Sequence, residues 1–427
     1  MDRHCSRQLN VSFLSMGLYV LFAATPAFAE PISVSGSLDN RFSDNMERVA
    51  DEEQSDVETR VSISVRHVKD PGQCNSVLDG TLGYGYWFDD TFDPQAYTDL
   101  GFEGDCDLTP GLRWLASNRL SDVRESSRRP DVPDNSTRKN VFTTGPEYTL
   151  LLTPRDQLQF TVQYQNTEFE EPDQSDSDRV IGSVAWNHFF SVTFSGGLTL
   201  NTNRAELDSG VEINRNSANL TFNKAWPATR LDGSFGVSGI ETTFNSGSQK
   251  SDAIVGDIGF IRQINPSTDF FLNASRELSD QTSDFDFRFG DFEFNLTETD
   301  TVEVTALKAG VDKVFSGGSA FNVSITGSRS DYLASGNVEE RTGAEVFAIR
   351  PITPRTSVSS GISLDYLSYQ DDDSDDTLIA FDLGISHQLS RDLGVNLRVG
   401  HERRSSDFVL REYEENWLVV GVSYRFL

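Results

Sequence analysis

Nine short segments, most of them about 40 residues apart, interrupt a chain whose apolar residues otherwise alternate with polar ones. They are KDPGQ (69–73), LTPGL (108–112), LTPRD (152–156), FFSVT (189–193), AWPAT (225–229), INPST (264–268), FSGGS (315–319), ITPRT (352–356) and LSRDL (389–393). Before one of these breaks Tyr148, Leu150 and Leu152 alternate with small or polar residues. After it Leu158, Phe160, Val162 and Tyr164 do the same, so the unit is a β-hairpin. A supersecondary unit repeated at a fixed period makes one architecture rather than a string of domains. Nine turns separate ten hairpins, or about 20 strands; merging weak segments near 32–43 or 213–225 would give 18.

The connections at the other ends of the hairpins read as longer and acidic, as in EEPDQSDSD (170–178), NSGSQKSD (245–252) and QDDDSDDT (370–377). Short turns on one side and long polar loops on the other predict a transmembrane antiparallel up-and-down β-barrel, with the short turns periplasmic. One face carries Phe160, Val162, Ile258, Phe260, Val395 and Leu397. Its alternates are Gln159, Gln163, Asn187, Ser234, Asp257, Asn273, Asp365, Asp382, Asn396 and Arg398. In lipid the first set faces out and the second lines a wet lumen, and closure leaves no strand edge. Trp226, Phe270, Phe315 and Tyr332 fall near strand ends, where interfacial aromatic girdles sit.

Residues 1–29 form a separate unit. Arg3 and Arg7 precede the apolar run 11–24, and Ala27-Phe28-Ala29 makes a cleavage site, so a secretory signal peptide is expected, with the barrel over 30–427. The formal charge is −30; losing Asp2, Arg3 and Arg7 takes away a net +1 and leaves −31. Such acidity argues against nucleic acid as a partner, since phosphate binding needs a basic face. Cys5 leaves with the signal, and Cys74 and Cys106 remain in an exported, oxidising setting. Folding the hairpin near residue 90 with partner numbers summing to 180 aligns Leu82 with Thr98, Leu78 with Phe102 and Cys74 with Cys106. That places a disulfide at the short-turn end. Near 372–373, a sum of 745 aligns Tyr366 with Ile379, Leu364 with Phe381 and Ile362 with Leu383.

The last strand alternates Val420, Val422, Tyr424 and Phe426 up to Leu427. It resembles the terminal strand that the outer-membrane barrel assembly machinery recognises, apart from Leu427 standing after the aromatic residue. The "T-P-R" turns, the stretch 143–169 and the Trp-containing strand 178–191 resemble the β-barrel porin families that accompany exopolysaccharide synthesis and export. The resemblance covers most of 31–427. It implies location in a Gram-negative-type outer membrane, surrounded by lipid and lipopolysaccharide, with polysaccharide as a partner.

No constellation for catalysis emerges. His67, His188, His387 and His401 have no serine motif around them, so no enzyme, metal or cofactor is expected. Asp371, Asp373 and Asp375 lack the spaced Gly and distal Glu of a calcium loop, which makes 370–377 a solvated acidic loop. No plug domain is expected ahead of the first strand. Arg60, Arg66, Arg113 and Arg119 fall at inward positions on the second and fifth strands, with Asp79, Glu103 and Asp105 on the strands between. They either set a transverse field in a constriction or make ordinary cross-strand ion pairs in a wet lumen.

FDFRFGDFEF (285–294) folds about Gly290-Asp291, pairing Phe289 with Phe292 and Phe287 with Phe294 and leaving Phe285 at its base. The same sum, 581, pairs Ala274 with Leu307 and Phe270 with Val311, so this hairpin should project above the membrane. Its aromatic face should cover the pore mouth or bind a glycan or partner. Three functions remain open: a conduit for hydrophilic solutes assisting exopolysaccharide export, a general diffusion porin, or a structural or adhesion barrel presenting acidic loops.

Overall fold

A computed structural model describes residues 32–69, 72–172, 174–244, 246–284, 295–296 and 301–427. The expected signal peptide and the 285–294 hairpin lie outside the described residues.

Twenty antiparallel strands follow one another around a single sheet. The first five are β1 (Ser33–Ser43), β2 (Asp56–Lys69), β3 (Cys74–Trp87), β4 (Gln95–Thr109) and β5 (Leu112–Arg124). Next come β6 (Ser136–Thr153), β7 (Asp156–Phe169), β8 (Ser177–Ser191), β9 (Phe194–Leu207) and β10 (Glu212–Trp226). The third group is β11 (Thr229–Phe244), β12 (Gly247–Asn265), β13 (Thr268–Asp280), β14 (Thr301–Val314) and β15 (Ala320–Tyr332). The last is β16 (Val338–Thr353), β17 (Thr356–Tyr369), β18 (Ser374–Gln388), β19 (Leu393–Ser406) and β20 (Tyr413–Arg425). β20 pairs with β1 from Ser35↔Arg425 to Ser43↔Trp417, so the sheet closes on itself.

The nine breaks read from the sequence are the nine connections at one end. Where a Pro opens a two-residue turn, four of the five hairpins skip a residue in the ladder just before it. Pro fixes a turn of the ordinary hand, which splays twisted strands, and a bulge restores the match. In both T-P-R turns the Thr hydroxyl accepts the Arg backbone N–H, at 3.1 Å for Thr153 and 3.2 Å for Thr353. The repeated motif is therefore turn chemistry.

Side chains sort as expected for lipid. Phe160, Val162, Ile258 and Leu397 stand exposed on the outer face, and Gln159, Gln163 and Asp365 point inward. Near the short turns Lys224 lies over the Trp226 ring and Lys313 over Phe315, as basic side chains do at an interface. Toward the other end Tyr164 donates to Asp178 just beyond the apolar band. A polar interior within an apolar exterior is stable only in a bilayer. The chain is a transmembrane β-barrel.

The expected registers hold at the sums of 180 and 581, with Leu78↔Phe102, Ala274↔Leu307 and Phe270↔Val311 all in place. Cys74 and Cys106 are directly opposite and bonded, with Cα atoms 4.0 Å apart. Non-reducing peptide mapping should recover them linked. The twelve cross-strand pairs of that hairpin persist without the bond, so Cys74→Ser is expected to cost no more than ~2–4 kcal/mol.

Four expectations are corrected. The hairpin near 372 pairs Leu364 with Ile379 and Ile362 with Phe381, two residues away from the sum of 745. Its connection is four residues long, with Asp373 in the left-handed region at φ 52°, and a two-residue shift keeps every side chain on its face. Most of 245–252 and the second half of 370–377 are strand rather than loop, because the strands run well past the 9–11 residues a bilayer needs. Tyr332 is no girdle residue: it is 2% exposed and its hydroxyl accepts the Asn295 N–H at 3.0 Å. Finally, 370–377 is solvated only in part: Asp371, Asp373 and Asp375 are exposed, but arginines from elsewhere in the chain hold Asp371, Asp372 and Asp376.

Candidate functional site

The connections opposite the short turns build the site. Three dry clusters form at that end of the barrel. Met46, Trp87 and Phe92 make one; Phe169, Leu296, Val302, Val304, Ala306 and Tyr332 make the second; Ala205, Ile213, Ile240 and Leu278 make the third. On β14 the apolar side chains thus switch from the outer face to the inner one above Leu307, because beyond the lipid the dry side is inside.

The loop after β5 (125–135) is organised by one side chain. Asn135, fully buried, accepts the Ser126 N–H at 3.1 Å and donates to the Ser126, Arg129 and Pro130 carbonyls at 2.9, 3.3 and 2.9 Å. So stiffened, the loop runs across the lumen. The Ser127 hydroxyl meets Glu339 on β16 at 3.1 Å. That strand is nine places around the ring from β5, where ten would be diametrically opposite.

On the far wall the attachment is ionic and aromatic together. Arg128 donates to Asp371 at 2.5 and 2.8 Å and lies 3.5 Å from Asp372. Arg128 and Arg411 both lie over the ring of the mouth-end Tyr369, at 4.8 and 4.9 Å from its centre. The Tyr369 hydroxyl donates to the Ser127 carbonyl at 3.1 Å. Arg404, 5% exposed, donates to the Ser127 and Arg129 carbonyls at 3.3 Å each while ion-pairing with the fully buried Asp376.

Burial works against the charge on Asp372, but hydrogen bonds from the Ser374 hydroxyl and the Arg411 guanidinium outweigh it and hold that carboxyl below its ordinary value. A carboxyl depressed on folding stabilises fully above its unfolded pKa, about 3.9, and loses that contribution as pH falls through the folded value. The contacts of Asp372 with Ser374 and Arg411 are therefore expected to hold unchanged from about pH 5 to about pH 8 and to weaken only in strong acid, below about pH 3.9. Channel conductance followed against pH would show it.

Two further segments lie against the bridge. The 44–55 connection sends Arg48 to the Asp131 carbonyl at 3.1 Å and to Glu402 and Glu415 at 3.2 and 2.9 Å. At the end of β13 and beyond it, Asp280 and Thr282 meet Arg179 of β8 at 2.6 and 2.8 Å, Lys139 of β6 donates to the Ser283 carbonyl at 2.7 Å, and Leu296 donates to the Glu125 carbonyl at 2.8 Å.

Beside the bridge lies a chamber of about 900 Å³ against β1–β5, β19 and β20. Six arginines line it: Arg41, Arg48, Arg60, Arg119, Arg124 and Arg398. The carboxylates along it are Asp39, Glu58, Asp122, Asp131 and Glu402. A second space of about 640 Å³ is bordered by Asp93, Glu125, Asp134 and Glu171, and it shares Gln95, Pro133, Ser136 and Leu296 with the chamber.

Of the inward charges read from the sequence, Arg60 and Arg119 reach this chamber. Arg60 pairs with Glu58 at 2.8 Å and stacks on Tyr97 at 3.5 Å; Arg119 pairs with Asp99 at 2.5 Å. Arg113 lies nearer the short turns, on Glu147 at 2.5 Å, and Arg66 stands opposite Asp79 in the β2–β3 ladder. Glu103 and Asp105 lie further down β4. All seven belong to one wall, so no field between opposing walls comes from them. The bridge residues Arg128, Tyr369, Arg404 and Arg411 escaped sequence reading. The available signal was an Arg-rich, Pro-containing connection (124–135) longer than its neighbours, in a chain with an unmatched acidic run.

No family model matches the chain, and no curated protein does. Membership of the exopolysaccharide-linked families is thus not shown. Among solved structures the chain is similar to the FrpB iron transporter from Neisseria meningitidis (F5-1 variant), at 9% identity and TM-score 0.49, covering 93% of this chain and 83% of that one. It is also similar to the siderophore receptor PirA from Pseudomonas aeruginosa, at 11% identity and TM-score 0.45, covering 94% and 81%. The third is Pseudomonas aeruginosa OpdK with vanillate, at 14% identity and TM-score 0.42, covering 94% and 100%.

Proposed function

We propose that this chain is an outer-membrane channel for small hydrophilic solutes, exported through a cleaved signal peptide, with its entrance narrowed by the 125–135 bridge. The single observation behind this reading is the bridge itself, fixed to Glu339, Tyr369 and Arg404 on the far wall. A loop tied down at both ends of its span divides a wide lumen and sets the size of what passes. A passage for long polysaccharide, which the sequence resemblance implies, would need that loop displaced. An adhesion barrel would have no use for a lined chamber beneath it.

Recording single channels from refolded protein in planar bilayers separates these readings. The small-solute channel is expected to show a steady, low conductance that long neutral and anionic glycans do not block. Block by such glycans would favour the polysaccharide role. A complete absence of conductance would leave the structural or adhesion role.

A further inference from the structure

We infer that the chamber is a binding and selection site for small oxyanions, solutes bearing a carboxylate, phosphate or sulfate group, although the chain as a whole carries a charge of −30. This deepens the channel reading and rests on it. The count of charges along the chamber is nearly even; Arg41, Arg48 and Arg124 are withdrawn to 24%, 11% and 22% exposure, and the other three arginines are the open ones. The side chains of Arg60, Arg119 and Arg398 are 39%, 39% and 51% exposed. Glu58, Asp122 and Glu402 are withdrawn to 5%, 19% and 17%, and among the chamber carboxylates Asp131 is the open one, at 64%.

Two carboxylates, Glu58 and Glu415, serve as backing, whereas Asp99, the partner of Arg119, is 59% exposed. Glu58 fixes Arg60 from behind, and the fully buried Glu415 fixes both Arg41, at 2.6 Å, and Arg48. Aromatic faces complete the mounting: Arg41 and Arg398 both lie over Trp417, at 5.8 and 5.4 Å, and Arg60 over Tyr97. Trp417 in turn lies so close over Gly400 that a β-carbon there would come within 2.2 Å of the ring. The aromatic faces are occupied by guanidinium groups, which leaves little for a sugar ring to stack on. Held guanidinium groups present N–H donors and no acceptor, and the matching ligand is an oxyanion, gripped by two parallel hydrogen bonds. Arg398 is the freest of them, since its carboxylate partner Asp382 stands 3.9 Å away. Rings of arginine in a pore favour anions by this means.

The test uses full-length mature protein. Under a tenfold KCl gradient the reversal potential should take the sign of anion selectivity. Citrate and inorganic phosphate, at millimolar concentration, should reduce the chloride current in a saturable way. Arg119→Gln and Arg398→Gln together, chosen because their carboxylate partners are exposed or distant, should lower the anion-to-cation permeability ratio at least several-fold and abolish the block. Unchanged heat-modified gel migration would confirm the fold of the variant. Cation selectivity in the wild type, or selectivity and block unaffected by the two substitutions, would overturn the inference while leaving the channel standing. No conductance at all would overturn the channel reading instead. In that case calorimetric titration of phosphate and citrate into detergent-solubilised protein decides: binding lost in the double variant supports an oxyanion site, and no binding removes it.

Discussion

Arg404→Met is expected to free the bridging loop and raise single-channel conductance several-fold. The guanidinium joins the loop, through the Ser127 and Arg129 carbonyls, to the wall, through Asp376. Removing it leaves Asp376, 0% exposed, as an uncompensated buried carboxylate. Breaking a buried pair from one side costs ~3–5 kcal/mol, here at the mouth-end of the barrel rather than in its membrane ladder. The double variant Arg404→Met/Asp376→Asn separates the two consequences. It removes the stranded charge and so should recover most of the lost thermal stability, yet it cannot restore the two carbonyl contacts, so conductance should stay high. If conductance returned to the wild-type level with stability, the loop would not be what limits flow.

The second large effect concerns the outer face. Phe160 stands in lipid between Tyr148 and Val184, its partners on the neighbouring strands. Phe160→Arg puts a cation into hydrocarbon, at roughly 2–4 kcal/mol if near the midplane. Refolding yield into vesicles and heat-modified migration should both fall. Gln163, one strand face over, looks into the wet lumen, and Gln163→Arg should leave both unchanged. Equal damage from the two substitutions would contradict the inside-out assignment.

Strand content and register were legible because each membrane strand must alternate, and because a slip of one residue would turn every side chain to the wrong solvent. Leu78↔Phe102 and Phe270↔Val311 could be paired from residue numbers alone for that reason. The pattern misled where the solvent changes along a strand. Val302, Val304 and Ala306 face inward into a dry cluster, and Tyr332 follows them. An apolar-equals-outward rule cannot anticipate a hydrophobic layer inside the mouth.

The bridge was illegible for a different reason. Arg128 meets Asp371 across a sequence separation of 243 residues, and Arg404 meets the Ser127 carbonyl across 277. Alternation and turn chemistry are local, and they carry no trace of which loop crosses to which wall. The exposed arginines of the chamber are similar. Arg60 and Arg119 could be placed facing inward from parity and Arg41 stands beside Arg60 in the β1–β2 ladder, whereas Arg398 comes to them only through the closure of β20 on β1.

The crossing of the lumen by residues 125–135 is the claim on which the rest depends, and a single cross-link tests it. In the Ser127→Cys/Glu339→Cys variant the thiols replace a hydroxyl and a carboxylate now 3.1 Å apart, and because the cysteine at 339 is two bonds shorter than the glutamate, a short bis-maleimide spans the gap. Native outer membranes treated with that cross-linker should yield a peptide joining positions 127 and 339, beside the Cys74–Cys106 peptide. Recovery of both new thiols free, and both open to a membrane-impermeant maleimide on intact cells, would show that the loop does not cross.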